Sequence, residues 1–270
     1  MRSKKHLYFI LTNENLFHPR YFAGVLRLLD NQKYKVVGVT QVIERRKSFI
    51  NFLTRQLNLW GWLGFLAIGV SSVLAKKSSP LKLITQKYKI KYFEIKDVNA
   101  KSHLRHIKKF EPDIILSSCG QIFGKELLDL PKIACINRHS ALLPKYGGVL
   151  PVFWAMYHNE KKFGVSIHIM VEKVDQGDII YQKAISRNYK NSLFSNYVIA
   201  FQESIQATIE ALNNLNKNKI VKRFAPNKKQ YFSYPSPSDI RKFKKRNKSF
   251  SLMDLKYFLY FFGNYKKVIS

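Results

Sequence analysis

The stretch LYFILTNENLFHPRYFAGVLRLLDNQKYKVVGVT, Leu7–Thr40, reads as a strand, a helix and a second strand. Leu7–Thr12 is a continuous apolar run, the pattern of a strand buried on both faces. Apolar residues recur at helical spacing over Pro19–Asp30, and Lys35–Thr40 supplies the second run. Strand, helix and strand in succession is the building unit of a parallel sheet. The turn after the first strand, TNENLFHPRYF, lacks the GxGxxG that cradles a dinucleotide pyrophosphate, which argues against an NAD or FAD enzyme of the usual kind.

The alternation continues outward. Further strands are predicted at Lys91–Ile95, Asp113–Cys119, Lys132–His139, Val165–Val171 and Asp178–Ile185. Helices are predicted within Ser48–Ala75 and at Ser102–Phe110, Pro151–His158 and Leu193–Leu215. The expectation is an α/β fold: a Rossmann-like, mostly parallel sheet with helices on both faces, plus a short basic C-terminal extension. The core domain is expected over 1–216 and the extension over 217–270. Between Lys217 and Phe250 there are twelve Lys or Arg and one acid, Asp239, with Pro226, Pro235 and Pro237 interrupting any periodicity. The reading is an extended tail or small irregular extension, followed by an apolar aromatic run, Leu252–Phe262, that needs a partner.

Charge and cysteine content bound the partners. The 270 residues carry 47 Lys and Arg against 17 Asp and Glu, a formal net charge of +30 that attracts phosphate-bearing molecules and anionic surfaces. The two cysteines, Cys119 and Cys135, make neither a disulfide framework nor a zinc site, so a reducing, cytoplasmic compartment is expected. The basic N-terminus precedes an apolar run shorter than a signal-peptide core, and it is read as the first strand. Gln56–Ala75 holds 20 residues without a charge, near the length that spans a bilayer. A true span would put the first two strands and the later ones on opposite sides, so the segment is either a buried crossover helix or an interfacial one. Trp60, Trp62 and Phe65, flanked by Arg45-Arg46-Lys47 and Lys76-Lys77, suit peripheral association with the cytoplasmic face of an anionic membrane.

The chemistry concentrates in INRHSALLPKYGGVLP, Ile136–Pro151. Asn137 and His139 are two residues apart at the end of a strand, so their side chains share a face. An amide that donates to a developing oxyanion, beside an imidazole that handles protons, suits acyl transfer. Downstream, Val165–Asp178 runs from an alternating strand into a loop with Asp175 and Gly177. A carboxylate there would orient the imidazole and raise its pKa, while Gly177 permits a close approach to a flat ligand or a positive φ. Singly, these are ordinary turn or core residues; their joint spacing is what points to a site. The remaining histidines show no metal-ligand arrangement. His103 and His106 are read as surface, and His168 shares a face with Ser166 and Met170, open to packing or to substrate contact.

Asn-x-His followed by LLP and Gly, then Asp-x-Gly roughly 35 residues on, resembles the folate-dependent formyltransferase family over about Asp113 to Ile185. The resemblance implies that Asn137, His139 and Asp175 are catalytic. It also implies that 10-formyltetrahydrofolate is the co-substrate, lodged against Gly120-Gln121-Ile122-Phe123 and the loop bearing Asp175 and Gly177. Two departures stand out. Ser140 directly follows the histidine, leaving Ala141 where the family often has serine, and Gly147-Gly148 replaces an Arg-Gly pair. These changes, with only about 55 residues after the last predicted helix, favour a small anionic amine as acceptor: an amino sugar on a nucleotide or lipid handle. The alternatives are a methionyl-tRNA formyltransferase-like enzyme acting on aminoacyl-tRNA, and a folate-binding or membrane-associated protein without turnover.

Overall fold

The computed structural model describes residues 3–44, 48–223 and 230–258, without the side chains of 75–78. The basic flanks Arg45-Arg46-Lys47 and Lys76-Lys77, Pro226 and the distal part of the aromatic run, 259–262, therefore lie outside the described residues or side chains.

Among the described residues nine strands follow in chain order: β1 (Lys5–Thr12), β2 (Tyr34–Val42), β3 (Lys91–Ile95), β4 (Ile114–Ser118), β5 (Ala134–His139), β6 (Gly147–Gly148), β7 (Lys162–Ile169), β8 (Ile179–Ser186) and β9 (Tyr231–Phe232). Seven form one sheet in the order β3-β2-β1-β4-β5-β7-β8, with β6 and β9 pairing separately. The first five strands of that order are parallel, while β7 runs antiparallel to both β5 and β8. The predicted mostly parallel sheet is thus observed, and every predicted strand lies in it.

The helices are α1 (His18–Leu28), α2 (Phe49–Ser78), α3 (Pro80–Lys87), α4 (Lys101–Lys108), α5 (Lys125–Leu128), α6 (Pro151–Tyr157), α7 (Leu193–Asn216) and α8 (Pro237–Lys244). The period of two along β1 divides the core. Leu7, Phe9 and Leu11 face a cluster that includes Tyr21 and Val25 of α1 and Ala207 and Ala211 of α7. Tyr8 and Ile10 face a second cluster with Ile107 of α4 and Leu127 of α5. Burial on both faces explains why β1 reads as an unbroken apolar run.

Two expectations are corrected. The extension is not an irregular tail: Ser236 and Asp239 form a capping box that starts α8, with Pro237 in its first turn. Phe243 of α8 is buried and stacks on Phe153 of α6 at 4.5 Å. Sparse apolar spacing among lysines hid this helix, because its amphipathic face is only two residues, Ile240 and Phe243, wide. His103 is not at the surface either. It is 3% exposed and bonds Thr40 Oγ1 at 2.9 Å and the Val98 carbonyl at 2.7 Å, so the histidine faces the sheet while the lysines of α4 face water.

Candidate active site

The sheet carries Asn137 and His139 to the carboxyl end of β5, where Ser117 of β4 and His168 of β7 flank Asn137. The strand period puts the intervening Arg138 on the opposite face. There it is buried, bonded to Ser204, Ser118 and Ser140, with its guanidinium 3.7 Å from the Phe201 ring centroid. Burial pushes the Arg138 pKa down to about 10, opposed by the neighbouring Tyr21, Tyr197 and Glu14. It serves as a polar strut between β5 and α7, apart from the face that carries Asn137 and His139.

On that face three elements converge. Asp175 Oδ1 lies 3.8 Å from His139 Nδ1 and 3.5 Å from His168 Nε2. His168 Nε2 is in turn 3.4 Å from Asn137 Nδ2. The second carboxylate oxygen of Asp175 accepts the Gly148 backbone N–H at 2.7 Å. Asp175 itself takes a left-handed conformation, φ 55°, which turns the loop back over β5. Gly177 closes this loop: a Cβ there would sit 1.7 Å from the Ile169 carbonyl oxygen. The close approach expected of Gly177 is therefore to its own chain, with no positive φ.

Electrostatics reverse one expectation. Burial lowers the His139 pKa below 6.5, and the attraction of Asp175 only partly offsets that; Tyr146 also raises it, while His168 and Arg138 add to the lowering. Taking a charge out of water here outweighs the one carboxylate that favours it. His139 Nε2–H donates to the Tyr146 carbonyl at 2.9 Å, which leaves Nδ1 as the basic nitrogen of the neutral ring. Burial alone would raise the pKa of Asp175. The combined pull of His139, His168 and the Gly148 N–H instead holds its carboxyl well below the ordinary value, so it is ionised. Asn137 Oδ1 is buried without a hydrogen-bond partner among the described residues, as is Ser117 Oγ opposite it on β4.

The loop Gly120–Phe123 follows β4 one strand away. Gln121 is committed to the chain: its amide accepts from Val98 N–H at 3.0 Å and donates to the Lys96 carbonyl at 2.9 Å. Phe123 is buried in the second core cluster. Ile122 is 65% exposed, and Gly120 and Gln121 line a cleft of about 400 Å³ with Glu44, Lys96 and Asp97. Of the four residues only Phe123 is buried, and it and Gln121 hold the loop in place.

Two participants escaped the sequence reading. His168, left open between packing and contact, joins the cluster, because the pairing of β7 with β5 sets it opposite Asn137. The strand β9 was invisible, because two residues carry no periodicity. It pairs with Gly147–Gly148, Trp154 Nε1–H donates to the Ser233 carbonyl at 3.1 Å, and Phe232 stacks on Trp154 at 4.8 Å. The extension thereby forms a wall beside Asp175, with Tyr231 half exposed at its rim.

Residues 68–212 match the family described as formyl transferase. A methionyl-tRNA formyltransferase of Lysinibacillus sphaericus is 28% identical over 207 residues, which cover 75% of this chain and 59% of that one. The chain thus spans less than two thirds of the length of that relative. Among solved structures, a glycinamide ribonucleotide transformylase of Symbiobacterium toebii superposes with a TM-score of 0.60 at 13% identity, covering 83% of this chain and 94% of the other. A sugar N-formyltransferase from a Shewanella species gives 0.54 at 19% identity, covering 85% and 76%. At these identities the structural likenesses establish the fold.

Proposed function

The chain belongs to the formyl transferase family, and on that premise we propose that it moves a formyl group from 10-formyltetrahydrofolate to the primary amine of an amino sugar carried on a nucleotide or lipid handle. The observation that carries this reading is the cluster of Asn137, His139, His168 and Asp175, linked by separations of 3.4 to 3.8 Å. The residues present fit a folate donor. Asn137 Oδ1 lacks a partner, and exposed Ile122 offers an apolar surface beside an open cleft. When bound, the folate supplies an electrophilic one-carbon unit.

The chain's own groups divide the work. The Asn137 amide N–H donates to oxygen charge as it develops, a contribution of about 2.7–4 kcal/mol per donor in other acyl-transfer sites. His139, neutral and fixed by Tyr146, takes the amine proton at Nδ1 as the amine bonds the formyl carbon; ionised Asp175 stabilises the imidazolium, which would return that proton to the folate nitrogen as its bond to the formyl carbon breaks. His139 is buried and the side chain of Asp175 is 8% exposed, which strengthens the interaction between them.

The amino-sugar assignment draws on the wall beside Asp175. Gly147–Gly148 are engaged by β9, which supplies the exposed ring of Tyr231, a flat face suited to a sugar or nucleobase. The basic surface suits an anionic handle. A second reading, transfer to aminoacyl-tRNA, is favoured by the Lysinibacillus relative and by the same charge. A cytoplasmic location accords with two free cysteines.

The test is tetrahydrofolate release from 10-formyltetrahydrofolate in the presence of amino-sugar nucleotides, methionyl-tRNA or water alone. Release that depends on the amino sugar is expected. Release only with methionyl-tRNA moves the enzyme to the second reading. Folate binding with no release in any arm, water included, overturns the catalytic reading.

A further inference from the structure

Helix α2 connects two neighbouring strands of one sheet, β2 and β3, and its solvent face is apolar. Gly61, at φ 71° and ψ 176°, breaks the helix in a conformation essentially reserved for glycine. Around the break one face is packed: Trp60, Ala67 and Ile68 join a cluster with Leu16, Phe194, Val198 and Phe258, and Ser71 is fully buried. On the other face Trp62, Leu63, Leu66, Val70, Val73 and Leu74 are between 40% and 70% exposed. At helical spacing these six fall within a sector about 120° wide, opposite the packed Ile68. The most apolar window of Phe49–Leu74 has a mean hydropathy of 1.6, and only 17% of it is buried. A stripe of this size facing water marks an interaction surface.

Charge identifies the partner. From Arg45 to Phe93 the chain has ten lysines and arginines and no acid. A second copy seated on this face would bring two basic surfaces together within a protein of net charge +30, whereas an anionic lipid surface neutralises them. Spanning is excluded by the fold. β2 and β3 pair in parallel through Gly38↔Lys91 and the following residues, so both ends of α2 stay on one side. The break also leaves Trp62–Ser78, 17 residues by position, or ~25 Å of helix, short of the ~30 Å hydrocarbon core. We infer that α2 docks the protein in the plane of an anionic membrane, inserting the Trp62–Leu74 stripe at the headgroup–acyl boundary while the net positive charge of the protein attracts the headgroups.

Two further features agree. Leu252 and Met253, 71% and 73% exposed, follow Phe250, whose side chain packs so closely on Gly64 that a Cβ there would lie 2.8 Å from it. The packed face of α2 also meets Leu16 and Phe17, just past the carboxyl end of β1. That is the end of the sheet at which Asn137 and His139 emerge.

The test floats the full chain with vesicles of phosphatidylglycerol and phosphatidylcholine, or of phosphatidylcholine alone, against a Trp62→Gln, Leu66→Gln, Val70→Gln variant. These side chains face solvent, so the variant should keep its circular dichroism and melting temperature. Wild type should float with the anionic vesicles and stay behind with the neutral ones, and the variant should lose at least about ten-fold in partitioning. A wild type that ignores both vesicles, or a variant that floats as well as wild type, overturns the inference. So does a concentration-dependent dimer, without flotation, that the triple substitution abolishes, since the stripe would then belong to a second copy. Flotation needs no turnover, and its result is independent of which amine is formylated.

Discussion

The backbone N–H of Gly148 donates to Asp175 Oδ2 at 2.7 Å, although the two residues lie 27 apart in the chain. That bond joins the loop after β5 to the loop after β7. Because Gly147–Gly148 also pair with β9, it ties the carboxylate to the C-terminal extension.

Removing the reacting groups should cost rate without unfolding. Asn137→Ala is expected to lower kcat by about 10²–10³, the loss of one oxyanion donor. Asp175→Asn, which removes the charge beside His139 while keeping the shape, should lower kcat by at least about 100-fold. Tetrahydrofolate release and folate binding, measured together, check both; an unchanged kcat in either variant removes that residue from the mechanism.

Gly148→Ala should damage site and stability together. Gly148 sits at φ 90°, and a Cβ there would lie 2.2 Å from the Phe232 carbonyl oxygen. The expected loss is about 1–3 kcal/mol from backbone strain, together with detachment of β9. Denaturant melts and amide exchange at Tyr231 and Phe232 read this directly. Wild-type stability with protected amides would refute it.

His139 provides a pH signature. Its folded pKa lies below 6.5, so the native state binds fewer protons than the unfolded chain. The resulting stability is fully present above 6.5 and is lost as pH falls through the folded value. An imidazole NMR titration should place the His139 midpoint below 6.5, and Asp175→Asn should move it lower still by removing the attraction that opposes burial. A midpoint above 6.5 would contradict the dominance of burial.

Phe243→Ala tests whether the extension depends on its anchor. The ring is 1% exposed and stacked on Phe153, so truncation should cost about 3–5 kcal/mol. If α8 holds β9 in place, activity should fall even below the melting transition. A destabilised but fully active variant would show that β9 stays seated without it.

The sheet was legible in the sequence because each strand is a short apolar run between polar turns, and burial on both faces makes such runs conspicuous in β1 and β4. Asn137, His139 and Asp175 were legible as a motif, since a strand places residues two apart on one face whatever surrounds them. The pKa of His139 was not. Its sign depends on how much water is removed, which only packing sets. The buried position of His103 escaped for a related reason: its helix is rich in lysine, and the direction of one side chain depends on the strand it meets.

The amino-acid sequence by itself determined the α/β class, the strand positions, the family motif and the uncharged, apolar character of Gln56–Ala75, because all of these are local patterns with a fixed period. Tertiary structure alone decided that His168 joins Asp175, that Gly177 serves loop closure, that β9 walls the site and that one face of α2 is left to solvent. Those features arise from pairs of segments far apart in the chain, and which pairs meet follows from how the whole core buries its apolar surface.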